Sequence, residues 1–121
     1  MPEADESEWE VWVDDCTVVV ELPRKLALDA ASSERMHEML TAAVARPGVE
    51  RVLTLLRVEH PLSAGLYDVV RNAARQAAAH GVRAWHVVAE HEAKGTALAR
   101  AVSGLETAVF EDERAARAQC A

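Results

Sequence analysis

RVLTLLRVEHPLSAGLYDVVRNAARQAAAHG, residues 51–81, decides the fold. It opens with VLTLL, an apolar run of the kind found in a strand buried on both faces. A short loop through His60-Pro61 follows, then an amphipathic helix predicted over 63–80. Its spacing turns Leu66, Val69, Val70, Ala73 and Ala77 inward and Asp68, Arg71, Arg75 and Gln76 toward water. The first turn of this helix reads Ser63-Ala64-Gly65. Small residues there leave free backbone N–H groups just past a strand end, at the positive end of the helix dipole. Such a place favours an anion or a docking partner.

Upstream, Trp9–Val13 and Cys16–Leu22 alternate or run apolar around Asp14-Asp15, which predicts a hairpin. Trp9 and Trp12 fall on opposite faces of its first strand, so one of them is expected to be exposed unless the edge is covered, with dimerisation, partner docking or packing against the tail all open to it. Asp29 is placed to cap a helix over 30–46, whose apolar face is Met36, Met39, Leu40, Ala43 and Val44, and Pro47-Gly48 ends it. Downstream, Gly81 closes the second helix. A strand is expected over 82–89, a helix over 92–102, a short strand over 106–110 and a polar helix over 111–118. The order β-β-α-β-α-β-α-β-α implies right-handed crossovers. The expected fold class is α/β: one domain with a mixed sheet of about five strands, an opening hairpin and about four helices stacked mainly on one side. An acidic flexible tail is expected over 1–8 and the domain over 9–121, with no internal repeat.

A chain of 121 residues, half of them hydrophobic, is long enough for one real core. With only three Trp, one Tyr and one Phe, aliphatic side chains and alanines must build it. The net charge of −7 is unevenly spread: residues 1–22 hold eight acids and no Lys or Arg, so the rest of the chain is nearly neutral. A phosphate-tracking nucleic-acid surface needs clustered Lys and Arg, and none is present in the pattern. No apolar run reaches membrane-spanning length, and the acidic N-terminus is the reverse of a signal peptide. Cys16 and Cys120 are two isolated thiols rather than a disulfide framework. A cytoplasmic protein is the expectation.

Six phrases, in order over residues 11–118, resemble the STAS domain family, which includes bacterial anti-sigma factor antagonists and the cytoplasmic tails of sulfate transporters. Leu28-Asp29-Ala30-Ala31-Ser32 resembles the family's opening of the first helix, and Val52–Leu56 its central strand. Leu62-Ser63-Ala64-Gly65-Leu66 sits where the family carries D-S-S-G-L, and Ala79-His80-Gly81 with the apolar run after it resembles the next step. Val102-Ser103-Gly104-Leu105 and Val109-Phe110-Glu111-Asp112-Glu113 resemble the ending. The resemblance implies a non-enzymatic regulatory module that binds a protein partner, a kinase-type anti-sigma factor where the family acts on sigma regulation. The implied contact surface is Glu59, His60, Ser63, Ala64, Gly65, Tyr67, Asp68, Arg71 and Arg75. The alternative, also from the resemblance, is a nucleotide- or lipid-binding domain using the same helix start. A homodimer stays open.

The departures bear on mechanism. The family's usual phosphoacceptor position is Ala64 here, the preceding Asp is Leu62, and Thr54 stands where an acid often ends the central strand. Alanine has no hydroxyl, so the usual switch cannot run at position 64. Ser63, one residue earlier, reads either as an ordinary N-cap or as a displaced phosphoacceptor. No catalytic residue, cofactor or metal site is assigned. The histidines His37, His60, His80, His86 and His91 form no dense ligand motif, although His86 and His91 with Glu90 and Glu92 are the nearest approach to one. Cys16 beside Asp15 has the wrong neighbours for a reactive thiolate. Lys94-Gly95-Thr96 lacks the upstream glycine of a phosphate loop and reads as the start of a helix.

Overall fold

A computed structural model describes residues 8–118. The chain runs β1 (Glu10–Asp14), β2 (Thr17–Leu22), α1 (Ala30–Val44), β3 (Arg51–Leu56), α2 (Ala64–Ala79), β4 (Ala84–Ala89), α3 (Glu92–Ala99), β5 (Glu106–Phe110) and α4 (Glu113–Ala118). The fold is α/β, as the alternation of periods implied. The expected tail over 1–8 lies outside the described residues apart from Glu8, and Cys120 lies outside them too.

Strand order in the sheet is β1-β2-β3-β4-β5, with β1 antiparallel to β2 and every later pair parallel. This order explains the layering. Each crossover moves one strand over in the same direction, and right-handed crossovers then deposit α1, α2 and α3 on one face. The register agrees. Val18, Val20 and Leu22 of β2 stand beside Val52 and Leu56 of β3 and Trp85, Val87 and Ala89 of β4. Together with Met36, Leu40, Leu66, Val70, Ala73 and Leu98 from the three helices they form the main core. The opposite face carries a smaller cluster of Val19, Leu53, Leu55 and Ala116, covered by α4.

Local sequence sets the element ends. The Asp29 carboxylate accepts from the Ser32 N–H at 2.7 Å to start α1. That bond, made to the charged form, holds the Asp29 pKa below the usual carboxylate value. Gly48 and Gly81, both at φ +86°, take the left-handed turns that end α1 and α2. The first hairpin turns at Asp15-Cys16, one residue later than expected, with Asp15 at φ +54°. Cys16 is therefore a half-buried turn residue and not part of β2.

Two side chains depart from the helical and strand patterns. Met39, expected inward, is 41% exposed, because α1 lies near the sheet edge and its apolar stripe is wider than the face it covers. Tyr67, expected exposed, is half-buried against the main core. Of the two hairpin tryptophans, Trp12 is the exposed one, at 37%, and Trp9 packs on the core side.

Candidate functional site

Backbone hydrogen bonds continue the β2–β3 pairing past the strand ends: Arg57 N–H donates to Leu22 at 2.9 Å and Glu59 N–H to Arg24 at 3.0 Å. The chain then turns through residues 60–62 into α2. Ser63 caps that helix, its hydroxyl oxygen accepting from the Leu66 N–H at 3.2 Å. Ser63, Ala64 and Gly65 are all exposed, and so are Glu59 and His60 on the approach. The structure thus brings Glu59, His60, Ser63, Ala64 and Gly65 together at the C-terminal end of β3, while Asp68, Arg71 and Arg75 lead away from it along α2 and Tyr67 contributes only its exposed half.

Along α2, Ala64, Asp68, Arg71 and Arg75 fall at helical spacings of four, three and four residues and form an exposed ridge. Arg71 donates to Asp68 at 2.9 Å, and Arg75 donates to the Asn72 side-chain oxygen. Exposed pairs of this kind contribute at most about 1 kcal/mol, so both guanidinium groups can be drawn to a partner at little cost.

Beside Ser63 the surface dips into a recess of about 230 Å³. Its floor is Leu26, Val58 and Leu66, all buried, and its rim includes Leu28, Leu62, His60 and Ser63. Two side chains, Lys94 and His60, hold the rim, and their tasks were invisible in the sequence because each reaches a backbone carbonyl more than thirty residues away. Lys94 of α3 donates from Nζ to Val58 O at 3.0 Å and to Glu59 O at 2.5 Å. His60 stands between two acceptors, Leu26 O at 2.6 Å from Nε2 and Pro61 O at 2.9 Å from Nδ1. The loop is therefore fastened on one side to α3 and on the other to the segment after β2.

Gly95, next to that lysine, also has a packing explanation. A Cβ built there would lie 2.8 Å from both Ala89 Cβ and Val109 Cγ1, so glycine is what lets α3 approach β4 and β5. Thr54, read from the sequence as a tolerated polar residue, is 1% exposed, and its hydroxyl accepts from the indole N–H of fully buried Trp85 at 2.8 Å. Gly65 differs from Gly95. A Cβ there would sit 3.5 Å from Ser33 Oγ, an ordinary contact, so nothing among the described residues demands a glycine at this exposed position.

On the other sheet face Arg51 is only 4% exposed. It donates to Ala116 O at 3.0 Å and to Thr17 Oγ1 at 3.4 Å, stands 3.4 Å from His86 Nδ1, and leaves its Nε unpartnered. Burial, and secondarily the Arg51 charge, push the His86 pKa below its ordinary value, with Glu106 opposing. His86 packs edge-on against Phe110. Among the described residues no three His, Cys, Asp or Glu side chains are grouped as a metal ion would need, and no helix is long and apolar enough to cross a membrane. No protein-family model matches the chain, and no curated protein does.

Proposed function

We propose that the chain is a non-enzymatic, cytoplasmic regulatory module of STAS type that binds a protein partner through the start of α2. The observation that carries this reading is the pairing of a bare helix start with an apolar-floored recess. Ser63-Ala64-Gly65 lets a partner's backbone approach closely, the recess of about 230 Å³ accepts one large apolar side chain, and the exposed Arg71 and Arg75 extend the surface from there along α2. Buried aromatic or aliphatic anchors beside arginines are the usual carriers of interface energy. Following the resemblance, the partner is a kinase-type anti-sigma factor.

With alanine at position 64, the interaction is not switched at the family's usual place. If a switch operates, Ser63 is its hydroxyl. It is exposed, and a phosphate there would meet the free amides of the first α2 turn, worth on the order of 1 kcal/mol. The second reading is a small ligand, a nucleotide or a lipid, held in the same recess. Its volume lies below the roughly 300 Å³ at which drug-sized ligand pockets begin, which favours a protein side chain as the guest.

The test is affinity capture from the native host with the unmodified chain, with Gly65→Trp, and with Arg71→Glu/Arg75→Glu, followed by mass spectrometry of the bound proteins and of Ser63. An ATPase-domain kinase retained by the first and lost from both variants is the expected result. A set of bound proteins identical across all three would remove the proposal.

A further inference from the structure

The opening strand carries a second surface, independent of the α2 site. Among the described residues nothing pairs with the outer edge of β1, whose backbone N–H and C=O groups are left for solvent or for another strand. Along that edge runs a groove of about 340 Å³, lined by Trp9, Val11, Trp12, Arg35 and Met39 with Glu10. It includes Trp12 and Met39, the two exposed large hydrophobic side chains of the described residues. Trp9 is fixed at one side by the Arg35 guanidinium, 5.4 Å from its ring centre.

Charge selects the occupant. On the face that bears Trp12, β1 presents Glu10, Trp12 and Asp14, while Val11 and Val13 turn to the core side. A second copy pairing antiparallel about Trp12 would set Glu10 against Asp14 and Asp14 against Glu10. Like charges directly opposite one another oppose pairing. Residues 1–8 are no better suited, since they add four more acids and no basic residue. Inside the hairpin Glu10 already stands opposite Glu21, and among the described residues only Glu21 of the two has a cation, Arg57 at 3.5 Å. Asp14 has Arg117 at 3.4 Å. A cation arriving on the outer side of Glu10 would relieve that repulsion.

We propose that the β1 edge is a docking surface for an extended basic segment of a partner protein, added to the sheet as a sixth strand. The pattern Glu-Val-Trp-Val-Asp asks for its complement: Lys or Arg opposite Glu10 and Asp14, an aliphatic residue over Trp12, and valine-like residues opposite Val11 and Val13. Main-chain bonds would supply affinity and these alternate side chains selectivity.

The test titrates two capped peptides, Thr-Lys-Val-Leu-Val-Lys-Thr and its glutamate counterpart Thr-Glu-Val-Leu-Val-Glu-Thr, into the full chain, reading backbone amide shifts by NMR. The lysine peptide is expected to move the amides of Glu10–Asp14, with the glutamate peptide inert and the affinity falling as salt is added. Glu10→Lys/Asp14→Lys should weaken the lysine peptide at least about tenfold and admit the glutamate one, because two attractive cross-strand pairs become repulsive. Glu10→Lys alone, at an exposed position with no ion pair among the described residues, gives the same direction if loss of the Asp14–Arg117 pair disturbs the double variant. Equal shifts from both peptides, or none from either, would overturn the proposal. So would a homodimer in sedimentation whose interface maps to β1.

Discussion

Replacing Thr54 by valine exchanges a buried hydroxyl for a methyl group of nearly the same shape. No cavity opens, so the cost falls on Trp85. Its indole N–H, now 2.8 Å from Thr54 Oγ1, would be left in a fully buried position with no acceptor. An unmet buried donor costs about 1–3 kcal/mol, and the new methyl returns somewhat under 1 kcal/mol. The net expectation is about 1.5 kcal/mol of destabilisation, or roughly 6 °C in melting temperature for a domain of this length. Urea unfolding followed by circular dichroism measures it, and a double-mutant cycle isolates the cause. Trp85→Phe removes the donor, at its own cost in packing. In that background Thr54→Val should cost nothing or stabilise, because no polar group is orphaned. The coupling between the two positions is then at least about 1.5 kcal/mol. An equal cost in both backgrounds would refute the reasoning and return Thr54 to the status of a tolerated polar residue.

Gly95→Ala should destabilise by about 1 kcal/mol in thermal melting. Overpacking against Ala89 and Val109 costs about 1–3 kcal/mol and the gain in helix propensity returns about 1 kcal/mol, so a stabilised variant would contradict the close approach of α3. Ser63→Ala should lose the α2 cap and about 1 kcal/mol in urea unfolding, whereas Ser63→Asp, which can still accept from the Leu66 N–H, should retain most of it. For His86 the folded pKa lies below the unfolded one, so the unfolded ring takes its proton first as pH falls. Its contribution is complete above about pH 6.5 and is lost as pH drops through that value toward the lower folded one. Melting temperatures at about pH 7.5 and 5.5 should therefore differ more in the unmodified chain than in His86→Gln, and identical differences would mean that acid sensitivity arises elsewhere.

The α2 surface and the β1 edge lie on different elements, and each calls for different chemistry. At α2 the proposed attraction is geometric, a bare helix start and a hole for one side chain. At β1 the proposed attraction is electrostatic and main-chain, an acid-flanked tryptophan on a strand whose outer edge has no partner among the described residues. The two can be separated by experiment, since charge reversal at Glu10 leaves the α2 ridge untouched and Arg71→Glu leaves β1 untouched.

The element order, the α/β class and the caps at Asp29 and Ser63 were legible in the chain. They depend on short-range causes: the period of apolar residues, oxygen-bearing side chains at helix starts, and glycines where φ must be positive. The exposure of Asp68, Arg71 and Arg75 was legible for the same reason, since helical spacing alone puts them on one ridge. Tertiary structure decided whatever depends on which strand lies beside which. Thr54 acquires its role only because β4 sets Trp85 within reach of it. Lys94 and His60 reach carbonyls more than thirty residues away in sequence, Gly95 is needed only because α3 meets the sheet there, and Met39 is exposed because α1 lies near the sheet edge. Arg51 is buried because α4 closes over it, its guanidinium donating to the Ala116 carbonyl. Sequence periodicity says which way a side chain points, but the identity of the neighbour it meets is a property of the assembled sheet.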